Sequence, residues 1–145
     1  LHTNDATGAI TRLEDMGVED YLVADALVGV IAQRLVRTIC PKCKQEKTDV
    51  PDEVYEKLGL DRSVKIYHGV GCKACDGTGY KGRVAVHEIM YMNENMRNAV
   101  AREKNLEVLR DLAKQNGMVT LWSSCKSLVE KGETSIRELM TLNIE

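Results

Sequence analysis

The 145-residue sequence predicts an α+β chain, predominantly helical, with a four-cysteine subdomain inserted after its second helix. Three observations carry that expectation. Apolar residues recur at helical spacing towards both ends of the chain. Two CxxC pairs, Cys40/Cys43 and Cys72/Cys75, bracket a middle stretch rich in turn residues. An alternating run, Val84, Val86, Met90 and Met92, follows the second pair and reads as a strand. The apolar fraction of 43% suffices for a packed core. With aromatics at 4% and no Phe, that core must be built from Leu, Val, Ile, Ala and Met.

Taken in order, Asn4 or Asp5 can cap a first helix whose apolar positions are Ala6, Ala9, Ile10, Leu13 and Met16. Gly17 follows where a left-handed residue ends a helix most easily. A second helix is expected over about 19–39, because Leu27, Ile31, Leu35 and Ile39 stand four apart. Its middle, residues 26–32, is apolar nearly all round and calls for burial on several sides. Cys40-Pro41 breaks the pattern. Residues 40–82 are loop-like, with a short helix from Pro51 to Gly59 and a strand over 64–68. After the strand over 83–92, in which Glu88 is the exception, four short helices are expected. Asn93, Asn105 and Thr120 are candidate caps, and Ser135 with Glu138 forms a capping box. The expected divisions are 1–39, 40–82 and 83–145.

Charge excludes one class of function. Net charge is −2, and residues 40–83 carry nine basic against seven acidic side chains, the only third with a positive excess. No segment concentrates enough positive charge to neutralise a run of phosphates, so nucleic acid is not an expected partner. The run over 26–32 is far too short to span a bilayer. A cytoplasmic chain is expected.

The cysteine spacing is C-x2-C-x28-C-x2-C. Each CxxC turn places two sulfurs within reach of one ion, and two such knuckles complete a tetrahedron. Zinc suits four thiolates because it is redox-inert and makes no geometric demand through its d electrons. Cys40, Cys43, Cys72 and Cys75 are therefore the expected ligands of a structural zinc ion, closed to water and substrate. Gly77 and Gly79 sit where tight turns can aim N–H groups at sulfur, and Lys42, Lys44 and Lys73 would offset the site's negative charge. Cys125 falls with Leu121, Leu128 and Val129 on one helical face and reads as a core thiol. His68 and His87 read as strand residues. Arg34 and Arg37 read as a solvated helix face, and Asp5, Glu14, Asp15, Glu19 and Asp20 as surface acids.

An ordered set of motifs also carries a resemblance. Leu1-His2-Thr3-Asn4-Asp5-Ala6 resembles the histidine box of the type II secretion and type IV pilus assembly ATPases. Residues 9–18, the run 29–37 leading into Cys40-Pro41, Gly79-Tyr80-Lys81-Gly82-Arg83 followed by Glu88, Gly117-Met118 with Thr120-Leu121, and Gly132 before Thr134 are similar in the same order. The resemblance implies the last part of a RecA-like ATPase core with an inserted zinc subdomain, from a hexamer that drives pilus or pseudopilus assembly. It implies inner-membrane platform proteins and further copies of the protein as partners, and peripheral attachment to that membrane. It places His2 in the nucleotide site, near the terminal phosphate of ATP.

No GxxxxGK[ST] loop occurs, so the phosphate loop, aspartate box and Walker B strand are expected upstream of Leu1. ATP and Mg2+ would then bind only the longer protein, and this chain alone would be inactive. A second reading is a free-standing zinc-ribbon adaptor for a protein partner. Residues 72–79 also resemble one knuckle of a chaperone zinc domain, a motif that family repeats four times.

Overall fold

The computed structural model describes residues 1–102 and 105–142. Seven α-helices, four strands and one 3-10 turn lie along these residues, with four of the helices in succession at the end. Among them, no helix is long and apolar enough to cross a membrane. The chain divides into two compact units, one of residues 1–34 with 87–121, the other of residues 35–86 with those from Trp122 on.

In the first unit, α1 (Gly8–Asp15) buries Ala9 and Ile10. It ends in a Schellman turn: Gly17, at φ +89°, donates to the Glu14 carbonyl, and Val18 donates to that of Leu13. The next helix, α2 (Asp20–Ala26), is much shorter than the sequence predicts. Residues 29–39 are not helical but form strand β1 (Gly29–Ile39). Two physical causes account for this correction. The Arg97 guanidinium donates to the Ala24 and Asp25 carbonyls at 2.6 and 2.7 Å, satisfying acceptors that a longer helix would use itself. The residues beyond are rich in β-branched side chains (Val30, Ile31, Val36, Thr38 and Ile39), which favour a pleated surface. The all-round burial expected for residues 26–32 also fails, since Val28 is 77% and Ile31 66% exposed.

Strand β4 (Tyr80–Tyr91) pairs with β1. Met92 N–H donates to the Val28 carbonyl and Thr38 Oγ1 to that of Lys81, so the two strands run antiparallel. Val86, Glu88 and Met90 lie on the buried face of β4. Glu88 thus keeps the alternation rather than breaking it. Helices α4 (Glu94–Arg102) and α5 (Leu106–Gln115) complete the first unit and bury Met96, Val100, Leu109 and Ala113. Both predicted caps hold: Asn93 accepts from Met96 N–H, and Asn105 from Glu107 N–H.

In the second unit, β2 (Lys44–Glu46) pairs antiparallel with β3 (Tyr67–Gly69), with Gln45 opposite His68. Between them α3 (Asp52–Leu58) begins after Pro51 and closes on left-handed Gly59, as the sequence indicates. Helix α6 (Leu121–Glu130) buries Cys125 and Val129, and α7 (Ile136–Thr141) buries Ile136 and Leu139. Ser135 accepts from Glu138 N–H, which is half of the predicted capping box. The other half is diverted, because the Glu138 carboxylate takes Arg37 Nε, Nη2 and backbone N–H at 2.7–2.9 Å. Arg37 also stacks on Tyr80, its guanidinium carbon 4.0 Å from the ring centre. Arg37 is therefore a fixed strand residue, not part of a solvated helix face. Glu138 and the stacked ring raise its pKa further, the hydrogen bond to Glu138 contributing most.

Candidate metal centre

The two knuckles are brought together by backbone contacts that the sequence spacing alone does not specify. Cys40 leaves the end of β1 and donates its N–H to the Gly79 carbonyl at 2.9 Å. Cys43 N–H closes the first turn on the Cys40 carbonyl, and the Cys43 carbonyl accepts from Val70 N–H. The second pair opens and closes a single 3-10 turn, Lys73–Cys75. Cys72 N–H and Gly79 N–H both point at Cys75 Sγ, 3.3 and 3.2 Å away. The expected N–H donation to sulfur is thus met by Gly79, while Gly77 N–H bonds instead to the Cys72 carbonyl.

All four sulfurs lie within 4.8 Å of one another, and Cys40, Cys43 and Cys75 are buried. Three edges of the sulfur cluster measure 3.9 Å (Cys40–Cys72), 3.8 Å (Cys43–Cys75) and 3.7 Å (Cys72–Cys75). A tetrahedron with edges near 3.8 Å puts its centre about 2.3 Å from each corner, which is a metal–thiolate bond length. The four cysteines can hold a metal ion, and no ligand beyond them is needed.

The thiols are electrostatically distinct. Burial pushes the Cys43 thiol up to about 11, aided by the three neighbouring sulfurs. Burial also acts to raise Cys75, but N–H donation from Cys72 and Gly79 and the adjacent thiols outweigh it and bring it down to about 6. Lys44 lies 4.6 Å from the Tyr67 ring centre, a cation held beside the first knuckle.

A close approach of two backbones locks the arrangement. A Cβ built at Gly69 would lie 2.0 Å from the Gly79 carbonyl oxygen, and one at Gly79 would lie 2.4 Å from that of Gly69. Gly79 also has φ +79°, a conformation that side chains disfavour. The sequence marks Gly79 beside the second knuckle, and the fold adds Gly69 as the residue it touches.

Cys125 stays outside the cluster and fully buried on α6, as its helical face predicts. Burial, with the Glu138 charge, pushes its thiol up to about 12. Below pH 9 the thiol is protonated in both folded and unfolded chains. From about pH 9 to about 12 the unfolded chain releases a proton that the folded one keeps, so stability falls as pH rises. Cys125→Ala should flatten the alkaline limb of a denaturation-versus-pH series relative to the parent chain. An unchanged slope would contradict the assignment.

The remaining sequence-predicted residues are dispersed. His2 is exposed in irregular backbone, His68 lies in β3 and His87 in β4. Arg34 lies on β1 rather than on a helix, and its guanidinium donates to Asn4 Oδ1 at 3.2 Å. Asp5 is not a free surface acid. It accepts from Gly8 N–H, the first amide of α1, although the N-cap position itself falls to Thr7, and it is paired with Arg110.

Residues 1–141 match the family described as type II/IV secretion system protein. The chain belongs to that family. It is 41% identical, over its full length, to the type IV pilus assembly ATPase PilB of Thermus thermophilus. It is 40% identical over 97% of its length to the type IV pilus assembly ATPase TfpB of Acinetobacter baylyi. Type II secretion system protein E of Dickeya dadantii is 38% identical over the whole chain. The chain spans 17%, 24% and 29% of these relatives' own lengths. Membership along essentially the whole chain does not favour the free-standing adaptor.

Proposed function

We propose that this chain is the C-terminal portion of a hexameric cytoplasmic ATPase that powers pilus or pseudopilus assembly in a type II secretion or type IV pilus system. The observation that carries the reading is the match of residues 1–141 to the secretion family, with assembly and secretion ATPases among its relatives. In this reading residues 1–39 end a RecA-like core, residues 40–82 form the metal subdomain, and residues 83–145 form a C-terminal subdomain. Zinc is the ion held by Cys40, Cys43, Cys72 and Cys75. The all-thiolate donor set and the sulfur–sulfur distances of 3.7–3.9 Å support it. A site closed by four protein ligands leaves no open position for catalysis, so its task is structural.

His2 serves the nucleotide site of the intact ATPase, beside the terminal phosphate. Phosphoryl transfer itself needs a phosphate-cradling loop and acidic groups for Mg2+. No GxxxxGK[ST] loop occurs among the 145 residues, and we assign that machinery to the additional length seen in the relatives. The expected partners are inner-membrane platform proteins and further copies of the ATPase, which place it at that membrane through protein contacts. Titration of this chain with Mg-ATP should then show no binding in the micromolar range. Micromolar affinity would mean that the residues from Leu1 onward carry a nucleotide site of their own.

A further inference from the structure

We propose that Glu88 is a positioning residue that holds the backbone following His2 in one conformation, and so sets the histidine for nucleotide chemistry. The inference rests on the reading of His2 given above. Glu88 is only 3% exposed on the inward face of β4, and both carboxylate oxygens are used. Oε1 accepts Ala6 N–H at 2.8 Å, and Oε2 accepts Leu121 N–H at 3.1 Å. One buried acid thus ties the segment after His2 to the first turn of α6, across 82 residues of sequence on one side and 33 on the other. A strand whose register buries a carboxylate needs a reason, because a buried acid must find donors. Here the donors are two backbone amides.

The rest of the segment is fixed as closely. Asp5 Oδ1 accepts Gly8 N–H at 2.8 Å, and Oδ2 accepts Thr7 Oγ1 at 3.1 Å and Arg110 Nε at 3.0 Å. A Cβ at position 8 would lie 2.8 Å from that Oδ1, so the carboxylate occupies space that only glycine leaves open. Thr3 Oγ1 donates to the Asp5 carbonyl, and Arg34 donates to Asn4. Ala6 and Thr7 are fully buried. Three residues from distant parts of the chain (Arg34, Glu88 and Arg110) therefore converge on residues 4–6. A histidine that stabilises transition-state charge gains from such preorganisation, and small displacements are costly.

Glu88→Gln is the direct test, because a carboxamide offers one acceptor and would face the other N–H with a donor. In the intact ATPase, amide exchange over residues 3–8 should rise at least tenfold, with residues 40–82 unchanged. The kcat should fall at least tenfold, with KM for ATP within threefold. If Glu88 acts through His2, Glu88→Gln added to His2→Ala should cost nothing further, whereas a purely structural role gives additive losses. Arg110→Gln loosens the same segment from its partly exposed side, and it carries the test if Glu88→Gln does not fold.

Unchanged exchange in either variant, or additive losses with His2→Ala, overturns the positioning role. A silent His2→Ala alongside a loosened segment would instead overturn the nucleotide-site reading of His2. The two failures are distinct.

Discussion

Zinc removal is expected to unfold residues 40–82 while leaving the first unit folded. Structural zinc contributes on the order of 10–16 kcal/mol in small modules, as much as or more than the whole stability of most domains. The subdomain has little else to hold it. Apart from the cysteines, its buried apolar side chains are Leu58, Leu60 and Ile66. At about 1.5–3 kcal/mol each, they cannot by themselves order the rest. The first unit has its own core in Ile10, Val23, Met90, Met96, Val100 and Leu109, none of which touches the thiol cluster.

Cys40→Ser should therefore lower zinc from about one per chain to well under half, as read by elemental analysis of protein made without added metal. Amide protection should be lost over residues 40–82 and kept in α4 and α5. A parent chain without zinc, its four thiols freely reactive, would sink the assignment.

Much of this site was legible because metal ligation is a spacing rule. Two CxxC pairs name their own partners without knowledge of the fold. Helix ends were legible for a similar reason, since Asp5, Gly17, Asn93, Asn105 and Ser135 act within four residues of themselves.

Strand β1 was not legible from spacing. Leu27, Ile31, Leu35 and Ile39 stand four apart, and positions i and i+4 share a side in a helix and in a strand alike. The β-branched residues between them were the available local signal. The decisive contact, Arg97 on the carbonyls ending α2, spans more than seventy residues. Glu88 and Glu138 were missed in the same way. In sequence Glu88 reads as the exception in an alternating strand and Glu138 as half of a capping box, and the amide and guanidinium donors that fix them come from distant sequence. An acid in the buried register of an alternating strand was the one available sign for Glu88.

Gly69→Ala is expected to damage the metal centre although it changes no ligand. The added methyl would sit 2.0 Å from the Gly79 carbonyl oxygen, a backbone atom that no rotamer change can move aside. Relief requires separating the two chain segments by more than an ångström. Gly79 cannot move alone, because its carbonyl accepts Cys40 N–H at 2.9 Å and its own N–H donates to Cys75 Sγ at 3.2 Å. One residue therefore holds one cysteine from each knuckle, and displacing it pulls the two knuckles apart. Loss of such an outer contact typically lowers metal affinity about 10–100-fold. The combined backbone strain and lost hydrogen bonds should cost the second unit roughly 3 kcal/mol or more. Competition against a chromogenic zinc chelator would read the affinity, and denaturant unfolding with zinc in excess would read the strain. Gly77→Ala is the matched control, since a Cβ there meets nothing within 4 Å and only its φ of +77° is disfavoured. Gly69→Ala with zinc affinity at or above that of Gly77→Ala would show that the glycine contact does not hold the knuckles together.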